Sequence, residues 1–261
     1  MAEILQKIVA SKKKEVEAAI RARPLRDLMK AADAAQPARD FLAPLQGGPP
    51  IRLIAEVKKA SPSKGVIRQD FDPVAIAQAY EEAGASCLSV LTDQEYFQGS
   101  LDYLSAVSQA VQIPVLRKDF IVHPYQIFEA RVAGADAILL IAECLNRQEL
   151  RGLYQLTREL GMFALVEFYL PANLDNVLNT GTDIVGVNNR DLNTFKVDLQ
   201  HTLAMRKQVP DDKILVGESG ITCYEDAKLL QDKGVQAMLV GESLMRQPNI
   251  ASATRALLGK S

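Results

Sequence analysis

Lysines and carboxylates in this chain recur at one kind of place, the far end of a short apolar run. Arg52-Leu53-Ile54-Ala55 leads into Glu56-Val57-Lys58, Pro114 to Arg117 into Lys118, Phe163 to Val166 into Glu167, and Ile214 to Gly217 into Glu218. Ile184 to Val187 ends in Asn188, with Arg190 two residues beyond. If these runs are strands, their two-residue period sends Glu56 and Lys58 to one side and Val57 to the other. Two amines and three carboxylates then converge. An unpaired buried charge costs several kcal/mol, so the five must pair with one another or with a ligand. A salt-bridged plug would satisfy that condition too, but concentration at one end favours acid–base chemistry, which needs groups whose proton affinity is set by neighbours.

Two glycine-bearing turns accompany them, Gly217-Glu218-Ser219-Gly220-Ile221 and Val240-Gly241-Glu242-Ser243. Glycine lets backbone N–H groups approach an anion closely, so side by side these turns read as a phosphate site in preference to simple turn geometry. The segment Ala60-Ser61-Pro62-Ser63-Lys64-Gly65-Val66 reads as an exposed loop or as one that closes over a ligand, with Lys64 approaching an anion.

Other chemistries lack their residues. The two histidines, His123 and His201, lie near predicted helix starts, which leaves no Ser-His-Asp arrangement and no histidine metal site. The three cysteines, Cys87, Cys144 and Cys223, are widely separated and give neither a disulfide framework nor metal-ligand spacing. No Gly-x-Gly-x-x-Gly turn follows a strand, which argues against dinucleotide chemistry. The expectation is lysine, glutamate and asparagine working on a phosphorylated small molecule, with no metal.

The elements that must position these residues follow from periodicity. Eight strand-length segments are predicted: Arg52–Lys58, Leu88–Thr92, Pro114–Lys118, Ala137–Ala142, Phe163–Glu167, Ile184–Asn188, Ile214–Glu218 and Ala237–Gly241. Markers at Glu56, Val90, Lys118, Ile141, Glu167, Asn188, Glu218 and Gly241 are 21 to 34 residues apart, room for one strand, one helix and two loops. Helical spacing fills the intervals, as in Val74–Ala83, Leu101–Val111, Tyr125–Ala133, Arg147–Leu160 and Tyr224–Lys233. Gly84, Pro114, Gly134, Gly161, Gly181, Pro210 and Gly234 mark the returns from helix to strand. The strands are apolar on both faces, as parallel strands covered by helices must be. Eight such units form a doubly wound sheet or a closed (β/α)8 barrel; the count and the missing dinucleotide turn favour the barrel, whose active sites lie at the C-terminal ends of the strands.

Before the first strand, residues 1–47 carry two helical patterns, Ile4–Arg21 and Leu25–Ala35, ending at Gly47-Gly48-Pro49-Pro50. This N-terminal helical extension reads equally as a cover over one barrel opening and as a packing or oligomerisation arm, appended to a single barrel domain spanning 1–261. With 48% apolar residues, a net charge of −2 and no basic run longer than Lys12-Lys13-Lys14, the chain lacks the stripe that nucleic-acid binding requires. Its longest apolar stretch, Ala137–Ala142, is far short of the ~20 residues of a membrane span. The start of the chain is amphipathic, unlike a signal peptide, so a cytoplasmic location is expected, with no nucleic-acid or membrane partner.

The motifs Glu56-Val57-Lys58-Lys59-Ala60-Ser61-Pro62-Ser63, Leu91-Thr92-Asp93 with Phe97-Gln98-Gly99-Ser100, Leu116-Arg117-Lys118-Asp119-Phe120, Gly186-Val187-Asn188-Asn189-Arg190-Asp191-Leu192 and Gly217-Glu218-Ser219-Gly220-Ile221 resemble the indole-3-glycerol phosphate synthase family. They occur in the family's order over nearly the whole chain. The resemblance implies a (β/α)8 TIM barrel with an N-terminal helical extension. It also implies ring closure, decarboxylation and dehydration of 1-(2-carboxyphenylamino)-1-deoxyribulose 5-phosphate in tryptophan biosynthesis. No cofactor is implied, since the substrate's own ring takes up and returns the electrons. Lys118, Glu167, Lys58, Glu56 and Asn188 are the implied catalytic residues, Lys118 acting as acid on the ketone oxygen and Lys58 pairing with the substrate carboxylate. How acid and base roles divide among Lys58, Lys118 and Glu167 stays open at this point. Ser61, Phe97, Phe120, Leu139, Arg190 and Glu218 are implied to contact substrate, and Ser219, Gly220, Gly241 and Glu242 to cradle its phosphate, chiefly through backbone N–H groups. Two positions depart from the pattern: Phe168-Tyr169 stand where Val-His is common, and His123 stands where Asp, a better helix cap, is frequent. From the residues alone, a Schiff-base aldolase using Lys118 as nucleophile and a non-catalytic phosphate-binding barrel are the alternatives.

Overall fold

A computed structural model describes residues 2–260. Eight parallel strands close into a barrel: β1 (Arg52–Val57), β2 (Cys87–Leu91), β3 (Val115–Lys118), β4 (Ala137–Ile141), β5 (Phe163–Phe168), β6 (Ile184–Asn188), β7 (Ile214–Glu218) and β8 (Ala237–Val240). Each pairs with its sequence neighbours, and β1 pairs with both β2 and β8 to complete the ring. The doubly wound alternative is thereby excluded. Predicted and observed strands agree to within a residue at each end.

Alternation along each strand divides the core in two. Ile54, Leu116, Leu139, Leu165, Val216 and Leu239 fill the barrel interior. Val57, Val90, Leu140, Val166 and Val187 face the helix ring instead. Packed layers of this kind leave no pore, so a ligand has only the upper, C-terminal mouth to enter.

One local element escaped the sequence reading. Ala60–Ser61 and Gly65–Val66, read as loop, form a small antiparallel hairpin above β1. His123, expected to be a poor cap, does cap its helix: Nδ1 accepts from Tyr125 N at 3.1 Å, while Gln126 Oε1 accepts from His123 N at 3.1 Å.

The N-terminal segment covers both ends of the barrel. Helix α1 (Glu3–Ala22) brings Ile4, Leu5 and Ile8 to the upper mouth. Helix α2 (Leu25–Asp33) then packs Leu28 and Ala32 on Tyr125 and Phe128 of the outer ring. The chain is fastened further on by Arg39, whose Nε donates to Asp136 Oδ2 at 2.8 Å, and Phe41 and Leu45 join the lower layer of the barrel interior. Among the described residues no helix is long and apolar enough to cross a membrane.

Candidate active site

The upper mouth opens into a cavity of about 630 Å³, within the range of small-molecule sites. Every site residue singled out in the sequence lines it, from Glu56 on β1 to Glu242 after β8. They come together because each ends an inward-facing row: parallel register sets Leu91 beside Lys118, Ile141 beside Glu167, and Asn188 beside Glu218.

Glu56 is the hub of the floor. Its Oε1 lies 2.5 Å from Lys58 Nζ and its Oε2 lies 3.3 Å from Lys118 Nζ. Burial works against its charge, but Lys58 and then Lys118 outweigh burial and bring the carboxyl down to about 2. Gly241 makes this placement feasible, since a Cβ there would stand 2.5 Å from Glu56 Oε1 and 2.8 Å from its Cβ. Burial likewise opposes the Lys118 ammonium, yet the carboxylates of Glu56, Glu218 and Glu167 raise its proton affinity above that of an ordinary lysine.

Glu218 is the least satisfied of the group. Lys118 Nζ stands 3.5 Å from Oε2, and no donor reaches either carboxyl oxygen, so Glu218 can form a hydrogen bond only by sharing a proton of its own with Glu167. Burial first, and the neighbouring charge of Glu167 second, push its pKa well above the carboxylate range. Glu167 has a different companion, Asn188, whose Nδ2 donates to its Oε1 at 3.1 Å. Asn188 is itself fixed by accepting from Arg190 N at 3.0 Å. Among the described residues no three of His, Cys, Asp and Glu are grouped to hold a metal ion.

The cavity has two unlike ends. On the β2–β4 side Leu91, Phe97, Phe120, Leu139 and Ile141 form an apolar wall, with the Phe97 and Phe120 ring centroids 6.1 Å apart. On the β7–β8 side Ser219 and Gly220 adopt positive φ (+66° and +81°), and Ser243 Oγ ties the two turns by donating to Ile221 O at 2.9 Å. A four-residue helix, Glu242–Met245, follows the second turn. Arg190 Nη2 lies 3.8 Å from Glu242 Oε2 across this end, and Ser61 Oγ is buried without a partner.

Sequence reasoning missed three contributions. Ile4, Leu5 and Ile8 of α1 line the mouth, as do Leu192, Phe195 and Val197 from the long turn after β6. Beside the wall, Lys12 is buried between Asp93 and Asp119. The last had a visible signal: Leu5, Ile8, Lys12 and Val16 make one helical stripe, with a charge where packing alone would place an apolar side chain.

The indole-3-glycerol phosphate synthase family model matches residues 5–257. The chain belongs to the indole-3-glycerol phosphate synthase family. It is 56% identical over 235 residues to the indole-3-glycerol phosphate synthase of Rhodopirellula baltica, covering 90% of this chain and 91% of that one. With the enzyme of the same name from Azoarcus sp. it shares 50% identity, over 99% of this chain and 100% of the relative. Family membership makes it an enzyme, a carboxy-lyase of tryptophan biosynthesis. Two solved structures of low sequence identity resemble it in fold. A 3-hexulose-6-phosphate synthase superposes with a TM-score of 0.64 at 15% identity, covering 80% of this chain and 99% of that chain. The thiamine phosphate pyrophosphorylase of Pyrococcus furiosus gives 0.61 at 14%, covering 79% and 93%.

Proposed function

We propose that this barrel converts 1-(2-carboxyphenylamino)-1-deoxyribulose 5-phosphate to indole-3-glycerol phosphate, carbon dioxide and water, through Lys118, Lys58 and Glu167. The observation that carries the reading is the position of the Lys118 ammonium, held between Glu56 and Glu218 in a cavity lined by an aromatic wall and by glycine-bearing turns. The substrate has the same layout: an aromatic acid, a ketone in the middle, and a phosphate at the far end.

The phosphate docks on backbone N–H groups of Ser219, Gly220, Gly241 and Glu242, with Arg190 close by. The ring lies against Phe97, Phe120 and Leu139, and Ser61 supplies a free hydroxyl. Lys58 pairs with the substrate carboxylate. When the carboxylate-bearing ring carbon attacks the ketone, negative charge grows on the ketone oxygen, and Lys118 stabilises it and donates a proton. Loss of carbon dioxide returns the bonding pair to the ring. Dehydration follows: the new hydroxyl leaves as water after protonation, with Lys58 as its acid, and Glu167 takes the proton given up by the carbon beside nitrogen. Asn188 holds Glu167, Glu56 holds both lysines, and Glu218 closes the floor. A Schiff-base route needs Lys118 as a neutral amine, which its carboxylate neighbours oppose.

These steps call on no cofactor or metal, and the recognised partner is one small molecule. The near-neutral charge balance supports the absence of a nucleic-acid partner, and membership of a family of biosynthetic enzymes supports a cytoplasmic location. The test is direct. Purified protein, treated with chelator and given this substrate, is expected to release carbon dioxide and an indole absorbance; folded protein that does neither refutes the proposal.

A further inference from the structure

We propose that Lys12 is a positioning residue, which pins α1 across the barrel mouth and, through Asp93 and Asp119, sets the aromatic wall made by Phe97 and Phe120. The inference rests on the reading of the cavity given above, since the wall matters only if a ring binds there.

Lys12 is 1% exposed, although it lies on a surface helix. Its Nζ is 2.9 Å from Asp93 Oδ2, 2.9 Å from Asp119 Oδ1 and 2.8 Å from Glu15 Oε2. Burial opposes its charge, but Asp119 and Asp93 more than restore it. The two aspartates come from different βα turns, and each organises its own. Asp93 Oδ1 accepts from Tyr96 N at 2.8 Å and its carbonyl accepts from Gly99 N at 2.7 Å, bracketing Phe97. Asp119 Oδ1 accepts from Phe120 N at 2.8 Å, while its Oδ2 accepts from Thr92 Oγ1 at 2.6 Å. One ammonium therefore joins three segments: α1, the turn carrying Phe97 and the turn carrying Phe120. A second tie runs alongside, Ser11 Oγ donating to Glu95 Oε2.

Electrostatics makes the joint selective. Two buried carboxylates face each other across the gap that Lys12 fills, and an apolar replacement would pack in the stripe yet leave them repelling. Among the described residues Lys12 is the one cation within ion-pair distance of Asp93, whereas Asp119 also has Arg117. Losing Lys12 should therefore release α1 and the Phe97 turn and leave the anion cradle of β7 and β8, on the other side of the mouth, unaffected.

The experiment compares Lys12→Met with wild type, and repeats every measurement on Lys12→Met/Asp93→Asn, which relieves the charge imbalance should the single variant fail to fold. In the folded variant, KM for the carboxyphenylamino substrate is expected to rise about tenfold or more with kcat changed at most about threefold, while the Kd for inorganic phosphate stays within about twofold. Hydrogen exchange of amides 4–12 should accelerate while the barrel strands keep their protection. Unchanged KM with α1 still protected, or equal losses of substrate and phosphate affinity, would overturn the proposal. Wild-type protein that binds phosphate but does not turn over this substrate would refute the assigned reaction instead, and the exchange comparison would still decide the role of Lys12.

Discussion

Arg117 and Lys118 are adjacent on β3 and meet opposite fates. Alternation turns Arg117 outward, where each of its nitrogens is engaged: Nε donates to Thr92 Oγ1 at 3.1 Å, Nη1 to Gln126 O at 2.7 Å, and Nη2 to Asp119 Oδ2 at 3.1 Å. Lys118 turns inward, to carboxyl groups 3.3 and 3.5 Å away, and no donor reaches the oxygens of Glu218. Both residues are basic, but Arg117 is buried and Lys118 half-buried. The outer cluster satisfies its groups and holds turns together. The inner one is under-paired and facing a cavity, so it retains capacity for a ligand's charge.

That contrast can be broken or sharpened experimentally. The largest expected effect is on turnover: Lys118→Ala should lower kcat by about 10² to 10⁴ while thermal unfolding moves little, if Lys118 is the acid of the proposed reaction. Retained kcat would mean that the two faces of β3 do not differ in the way described. Arg117→Met should show the reverse, a loss of about 3 kcal/mol in denaturant unfolding as Asp119 loses one of its two buried cations and Glu129 its ion-pair partner, with kcat at saturating substrate down less than about tenfold. Equal damage to both properties in either variant would merge the clusters into one.

A smaller effect is expected from Gly241→Ala, whose added methyl must displace Glu56. It should cost about 1 to 3 kcal/mol in stability and weaken turnover through both lysines, checked by paired unfolding and kinetic measurements. Full activity would show that Glu56 can move without consequence.

The finest test is pH dependence. A carboxyl with a raised pKa in the folded state holds its proton there after the unfolded chain has lost it. Stability therefore falls as pH climbs from the ordinary carboxylate range through the folded pKa of Glu218, by at most about 1.4 kcal/mol per pH unit. Glu218→Gln should flatten that slope, read as Tm against pH. Glu56 contributes with the opposite sign: its stabilisation is complete above the usual carboxylate range and is lost as pH falls through about 2. An identical slope in Glu218→Gln would place the strained proton elsewhere.

Much of this site was legible in one dimension. Glu56, Lys58, Lys118, Glu167, Asn188 and Glu218 could be assigned to one mouth because each terminates an apolar run, and parallel strands of equal length bring their ends to one face. The apolar wall was half legible: Phe97 and Phe120 could be named, but not Leu91 and Ile141 beside them, since inward and outward apolar residues alternate within strands that are buried on both faces. The hairpin at Ala60–Val66 was not legible, because two-residue strands leave no periodicity to detect. The loose pairing of Glu218 was hidden too, depending as it does on distances across the barrel rather than along it.

By itself, the sequence determined the strands, their order, the end that carries the charge and the family to which the chain belongs. Those depend on short-range alternation, on breakers between helices and strands, and on motifs a few residues long. Tertiary structure alone decided where the first helix lies and what Lys12 does. An amphipathic stripe specifies that a helix must cover something without specifying what, and the partners of Lys12, Asp93 and Asp119, are about 80 and 107 residues away along the chain and meet it only once the barrel has closed.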